Sequence, residues 1–255
     1  MGKYEDKVNY AERILKSSFF IGASIPFFFS IIVIPFFLRN SKTKELSEKH
    51  TKKWFEILFN IFNIKLELYG EKNTNLEKFI ICSNHISFLD IPAITLAFKE
   101  KKIKFFAKED VLKIPVIGWG LKIQNHPIVK ASSPVSSIKD IIRVLGEEKP
   151  DILCIFPEGT RGEPGRKPNE LLPFREGIGF VVDMLNLPVV PVGIIGTHRV
   201  YPPKTIIPKR GKIEVIIGQP LDFSNIEIKD RKEKRKFITT ALEKTLKDLI
   251  ESHMT

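Results

Sequence analysis

The sequence predicts an α/β fold: a single mixed-sheet domain with flanking helices, preceded by an N-terminal membrane-associating helical segment. Two observations carry this expectation. From Ile64 onward, short β-branched and aromatic runs alternate with stretches of helical spacing, the pattern of a sheet with active residues at its strand ends. Before them, Phe19–Leu38 is uncharged and apolar. A chain of 255 residues is long enough for one sizeable α/β domain with a substantial core. The boundary falls between residues 58 and 59, with 1–58 the membrane-associating segment and 59–255 the α/β domain.

In chain order, Lys3–Lys16 is polar, with Val8, Ala11, Ile14 and Leu15 near helical spacing, which predicts a short amphipathic helix. Phe19–Leu38 would measure roughly 30 Å as a helix, just enough to span a bilayer. Pro26 favours a break near Ser24-Ile25, and the remaining run of about 13 residues has the length of a re-entrant or interfacial segment. Basic residues flank it on both sides, Lys7, Arg13 and Lys16 before and Arg39, Lys42, Lys44 and Lys49 after, as fits a segment dipping into one leaflet of an anionic membrane. No small-residue cleavage site follows, which argues against a cleaved signal peptide. Membrane attachment is the reading, with spanning and dipping both open; a buried core helix is the alternative.

Thr43–Phe62 reads as a helix with a polar first half and an apolar second half. Strands are expected at Ile64–Leu68, Phe79–Cys82, Lys104–Ala107, Ile152–Phe156, Val189–Ile195 and Ile213–Ile217. Helices are expected at Ser87–Phe98, Val135–Leu145 and Glu176–Leu185. A final helix from about Lys229 to Ser252 buries Ile238, Leu242, Leu246, Leu249 and Ile250 behind a basic start.

Composition bounds the partners. A formal charge of +11 points to an anion, whether nucleic acid, lipid headgroups or a phosphorylated substrate, and charge alone does not choose. There is no helix-turn-helix, RNP-like or zinc-finger signature, so nucleic acid is not an expected partner. The two cysteines, Cys82 and Cys154, sit inside apolar runs and read as small core side chains of a reducing compartment. His50, His126, His198 and His253 are scattered without metal-ligand spacing, so no metal is expected.

Two motifs carry chemistry. The first is Ser83-Asn84-His85-Ile86-Ser87-Phe88-Leu89-Asp90, between the strand Phe79–Cys82 and a helix with a cap-like Ser87 and Pro92 in its first turn. On one helix, residues five apart point roughly 140° away from each other; across a strand-to-helix turn they can meet. Asp90 could then hold one ring nitrogen of His85 and leave the other free to take a proton. A core histidine beside a capping aspartate is the alternative. The second motif is Pro157-Glu158-Gly159-Thr160-Arg161, after the strand Ile152–Phe156. Gly159 allows close backbone approach, Thr160 offers a hydroxyl and Arg161 a planar fork for phosphate oxygens. A Glu158–Arg161 ion pair at the rim of a turn is the alternative.

Together, N-H-I-S-F-L-D and, some seventy residues on, F-P-E-G-T-R resemble the glycerolipid acyltransferase family, especially its 1-acylglycerol-3-phosphate (lysophosphatidate) acyltransferases. The resemblance covers roughly residues 50 to 220 and includes Ala107-Lys108-Glu109, Ile114–Gly118, Phe174-Arg175-Glu176-Gly177, Val190-Pro191-Val192 and Ile217–Pro220. It implies transfer of a fatty acyl group from an acyl thioester, on coenzyme A or acyl-carrier protein, to the free hydroxyl of a lysophospholipid, with no cofactor. His85 is implied as the base and Asp90 as its orienting partner. Arg161, then Lys108, then Lys130 are implied as cations for the acceptor phosphate, with Glu158, Gly159 and Thr160 beside the glycerol. The family block Gly-x-Ile-Phe-Ile-x-Arg reads Asn125-His126-Pro127-Ile128-Val129-Lys130 here, so Lys130 would bring a point charge in place of a fork. Expected partners are the lysophospholipid, the thioester and an anionic membrane surface, with the catalytic domain on the cytoplasmic face of the inner or plasma membrane. The competing readings are an acyltransferase for another lysolipid and a non-enzymatic lipid-binding membrane protein.

Overall fold

In the computed structural model the described residues are Leu15 and 41–255, except 71–75, 115–116, 164, 203–204 and 206. The helix expected over Lys3–Lys16, Leu15 apart, and the apolar stretch Phe19–Leu38 therefore lie outside the described residues. No helix among the described residues is long and apolar enough to cross a membrane.

The chain runs α1 (Ser41–Ile61), β1 (Ile64–Tyr69), β2 (Phe79–Ser83), α2 (Asp90–Ala97), β3 (Ile103–Phe105) and β4 (Ala107–Lys108). A 3-10 turn (Glu109–Lys113), α3 (Ile117–Ile123), β5 (Ile128–Val129), α4 (Pro134–Glu148) and β6 (Ile152–Ile155) follow. The last elements are α5 (Gly177–Leu185), β7 (Val189–Ile195), α6 (Thr197–Val200), β8 (Gly211–Ile217) and α7 (Arg231–Met254). Six strands form one sheet in the order β1-β8-β7-β2-β6-β3. Only β7 and β8 pair antiparallel, so the sheet is mixed, as expected.

Strands β2, β6 and β7 are buried along their whole length, which is why they read as continuous apolar runs. Alternate side chains go to opposite faces: Phe79 and Ile81 join one core with Ala93 and Ile94 of α2, and Ile80 and Cys82 join the other with Leu242 and Leu246 of α7. In α7, Ile238, Leu242, Leu246 and Ile250 recur every fourth residue and are fully buried. Asp230 caps this helix by accepting from the Glu233 N–H at 2.8 Å.

Two elements depart from expectation. The run Lys104–Ala107 divides, because the Phe106 N–H still bonds Cys154 of β6 while the Ala107 N–H turns to the Pro127 carbonyl. Residues 107–108 consequently pair with β5 in a separate two-stranded sheet. The helix expected from Ser87 begins at Asp90, and Leu89, not Ser87, is its cap residue. The Asp90 carboxylate draws the Ile86 and Ser87 N–H groups to itself, which holds residues 86–89 in a turn.

Helix α1 docks on the β3 edge through buried charge. Lys104 is fully buried, its ammonium bonded to Glu48 of α1 at 2.5 Å and to the Gln124 carbonyl. Gln124 in turn donates to Ser47 and Thr51 of α1, at 3.2 and 2.7 Å. Glu148 at the end of α4 gathers Lys44 at 3.1 Å, Lys102 at 2.9 Å and Asn125 at 2.8 Å. Burial pushes the Glu148 carboxyl up, but the bonds from Asn125 and Lys102 and the Lys104 charge outweigh it and hold its pKa at about 2.

Candidate active site

Sheet register brings the two motifs together. Strand β2 lies between β6 and β7, with Cys82 opposite Ile155 and Ser83 opposite Val192. His85 stands three residues beyond Cys82 and Glu158 three beyond Ile155, so both leave the carboxyl end of the sheet at the same height. Buried Asn84 continues the pairing with its side chain, donating to the Ile194 carbonyl at 2.9 Å and accepting from the Ile194 N–H at 2.8 Å. Asn84 thus anchors the turn to β7, a role that sequence reasoning missed.

His85 and Asp90 meet across that turn. The His85 Nδ1 lies 2.8 Å from Asp90 Oδ2, and the same oxygen accepts from the backbone N–H of Ile86 at 2.7 Å and of Ser87 at 2.8 Å. An oxygen fed by two backbone donors is an acceptor, so Nδ1 carries the proton and the Nε2 lone pair is left open. No described residue bonds Nε2. The imidazole stacks on Phe156, centroids 4.2 Å apart and planes inclined by 20°, which fixes the ring from its other face. Asp90 is fully buried while the His85 side chain is 17% exposed, so the pair is anchored inside and opens outward.

In the second motif, the expected alternative of a Glu158–Arg161 ion pair does not form. Glu158 is buried and pairs with Arg166, and it also accepts from the N–H groups of His85 and Leu172, each at 2.9 Å. Arg161 instead lies over the ring of Phe88, its guanidinium carbon 3.6 Å from the centroid. Burial lowers its pKa while Asp90 and Tyr201 oppose that shift. Its guanidinium makes no hydrogen bond or ion pair to another described residue. Phe88, 47% exposed, would otherwise be an unexplained surface aromatic.

Two further cations flank the turn. Gly159 has φ +65°, and a Cβ there would come within 2.6 Å of Arg175 Nε, so the Arg175 side chain lies directly against this glycine. Burial, then the Arg175 charge, lowers the Lys108 pKa, which Asp110 opposes. Neither Lys108 nor Arg175 makes an ion pair among the described residues. Thr160 is exposed, its hydroxyl accepting from the Gly162 N–H at 3.4 Å. Lys130 differs, because its ammonium is paired with Glu109 at 2.9 Å. Of the cations singled out in the sequence, Arg161 and Lys108 form no ion pair among the described residues and Lys130 does. Arg175 belongs to the Phe174-Arg175-Glu176-Gly177 block, and no local sequence pattern marks Arg166.

Neither cysteine is a ready nucleophile. Burial pushes both the Cys82 and Cys154 thiols up. Among the described residues no group of three or more His, Cys, Asp or Glu could hold a metal ion. A cavity of about 600 Å³ between α5 and the start of α7 contains no residue of either motif.

The family model described as Acyltransferase matches residues 65–195, which contain both motifs. A chloroplastic 1-acyl-sn-glycerol-3-phosphate acyltransferase of Brassica napus is 33% identical over 151 residues, 58% of this chain and 42% of that one. A chloroplastic enzyme of the same description from Arabidopsis thaliana is 28% identical over 88% of this chain and 64% of its own. The chain thus spans less than two thirds of the length of these plant relatives. A Bacillus subtilis relative of that description is 28% identical over 72% of this chain and 87% of its own. The crystal structure of the 1-acyl-sn-glycerophosphate acyltransferase of Thermotoga maritima shares the fold, with TM-score 0.67 and 24% identity over 94% of this chain and 97% of that one. This chain belongs to the Acyltransferase family.

Proposed function

We propose that the protein transfers a fatty acyl group from an acyl thioester to the free hydroxyl of 1-acylglycerol-3-phosphate, giving phosphatidic acid. The observation that carries this reading is an imidazole held at Nδ1 by a buried carboxylate and open at Nε2, near a guanidinium that forms no ion pair or hydrogen bond with a described residue. A glycerol hydroxyl is a poor nucleophile at neutral pH, so Nε2 takes its proton as the oxygen attacks the thioester carbonyl. Asp90 keeps the proton on Nδ1 and stabilises the imidazolium that forms. Collapse of the tetrahedral intermediate breaks the carbon–sulfur bond, and the departing thiolate recovers the proton from His85. The acceptor supplies the nucleophile, so neither buried cysteine takes part and no cofactor is required.

Arg161 is the first ligand for the acceptor phosphate and Lys108 the second, with Gly159 and Thr160 lining the approach. Lys130, already paired with Glu109, makes the smaller contribution. The segment 1–58 would hold the catalytic domain against an anionic membrane surface on its cytoplasmic face. The relatives named for 1-acyl-sn-glycerol-3-phosphate support the choice of acceptor.

The test presents the purified protein in detergent with lysophosphatidate, lysophosphatidylethanolamine and monoacylglycerol, each with coenzyme A and carrier-protein thioesters. Mass spectrometry identifies the products. Phosphatidic acid as the dominant product is expected; preferential acylation of another lysolipid, or no product at all, would contradict the proposal.

A further inference from the structure

Among the charged residues that the reaction leaves unused, Arg166 contacts the His85 backbone. It lies in the irregular stretch between Arg161 and α5, yet its side chain is only 7% exposed. One terminal nitrogen bonds Glu158 Oε2 and reaches the Glu170 carbonyl at 2.7 Å. The other donates to the His85 carbonyl at 2.7 Å and, more weakly, to the Arg161 carbonyl at 3.4 Å. Glu158 Oε1 meanwhile accepts from the His85 N–H at 2.9 Å. A closed ring results: His85 N–H, Glu158, Arg166, His85 carbonyl. Gly162, at φ +71°, leaves room for it, since a Cβ there would come within 2.8 Å of Arg166 Nε.

We infer that Arg166 is a positioning residue for the base, gripping the His85 backbone on both sides together with Glu158. The inference rests on the reading of His85 as the base. It also assigns the second-motif carboxylate a task other than the glycerol contact that the resemblance implies. With its side chain 0% exposed and both oxygens occupied by protein donors, Glu158 holds the backbone rather than the substrate. The physical logic is that of a buried pair, whose partners are each costly to leave alone and which is therefore rigid only when complete. Asp90 fixes the imidazole from its side chain and the ring fixes the backbone that carries it. A loosened ring displaces the base from the hydroxyl, and a misplacement of about 1 Å is enough to cost about 10²-fold in rate.

The experiment compares wild type with Arg166→Met, Arg166→Lys, Glu158→Gln and the Glu158→Gln/Arg166→Met double variant. The readouts are kcat, acceptor KM, melting temperature and the rate at which diethyl pyrocarbonate modifies His85. Expected is a kcat loss of about 10²-fold in Arg166→Met with acceptor KM within about twofold of wild type. Arg166→Lys, which can restore one arm of the ring, recovers part of kcat. The double variant loses no more than its worse single parent, and His85 is modified faster in Arg166→Met than in wild type. A raised KM with unchanged kcat, additive losses, or unaltered His85 reactivity would overturn the inference. Should Arg166→Met fail to fold, Arg166→Lys and Glu158→Gln decide by the same split. His85→Ala run alongside separates the two readings: turnover persisting there refutes the base, whereas altered His85 reactivity in Arg166→Met supports the ring by itself.

Discussion

Two regions of this molecule handle charge in opposite ways. At the edge where α1 meets β3, Lys104, Glu48, Glu148, Lys102 and Lys44 form a network in which every charge has an opposite partner. At the carboxyl ends of β2 and β6, Asp90 Oδ2 and both oxygens of Glu158 are held by protein donors, while Arg161, Lys108 and Arg175 have no ion-pair partner among the described residues. The first pattern closes on itself and serves the fold. The second leaves positive charge uncompensated beside an open imidazole nitrogen, and uncompensated charge at a partly buried site favours an anionic ligand. The same sheet therefore separates paired charge that holds the protein together from charge that forms no ion pair among the described residues.

The comparison can be broken most severely at the base. His85→Ala should lower kcat by about 10²- to 10⁴-fold, the usual contribution of a general base, with little change in melting temperature. Steady-state kinetics and a thermal melt decide it together, and near-normal turnover would remove the base from the account. On the other side, Glu148→Ala should destabilise the fold by about 1–3 kcal/mol, because it removes the carboxylate shared by Lys44, Lys102 and Asn125, while Lys104 keeps Glu48. Urea unfolding measures this loss, while kcat per folded molecule should stay near wild type.

A smaller effect appears in acid. Burial, then the Lys104 charge, lowers the His126 pKa to about 3, consistent with its Nδ1 accepting the Phe105 N–H at 2.9 Å. The native state therefore resists a proton that the unfolded chain takes up below its ordinary 6.5. Its stabilising contribution is complete above pH 6.5 and is lost as pH falls towards 3. Glu148 adds a second loss between its ordinary 4.5 and about 2. Urea midpoints should fall more steeply between pH 7 and 5 in wild type than in His126→Asn, whose carbonyl oxygen can accept the same N–H; the slope that remains belongs to His198, whose pKa burial also lowers. A level wild-type profile would contradict the burial argument. Smallest of all, Lys130→Ala should change acceptor KM by less than about twofold, since its exposed ammonium already has Glu109.

Much of this was legible in the sequence where the signal was local. The runs Phe79–Cys82 and Ile152–Phe156 read as buried strands, and residues placed at their ends could be read as a site. Local rules failed where partners were distant. Capping preference selects Ser87, but the Asp90 carboxylate takes the Ile86 and Ser87 N–H groups and moves the helix start. Arg166 sits in a Gly- and Pro-containing stretch with no periodicity, and its partner carbonyl lies 81 residues away. The available signal was indirect: a glutamate directly following a buried strand demands a counter-charge, and Arg161 was only the nearest in sequence. Lys104 likewise reads as a strand residue at the rim, whereas its ammonium is buried against a helix 56 residues earlier.

The most direct measurement of the contrast between paired and waiting charge is headgroup discrimination. It compares kcat/KM for lysophosphatidate with that for the corresponding monoacylglycerol, in wild type and in Arg161→Ala. Wild type should strongly prefer the phosphate-bearing acceptor, and Arg161→Ala should lose about 10- to 100-fold of that preference, chiefly through acceptor KM. Equal preference in the two proteins would show that the phosphate is bound elsewhere.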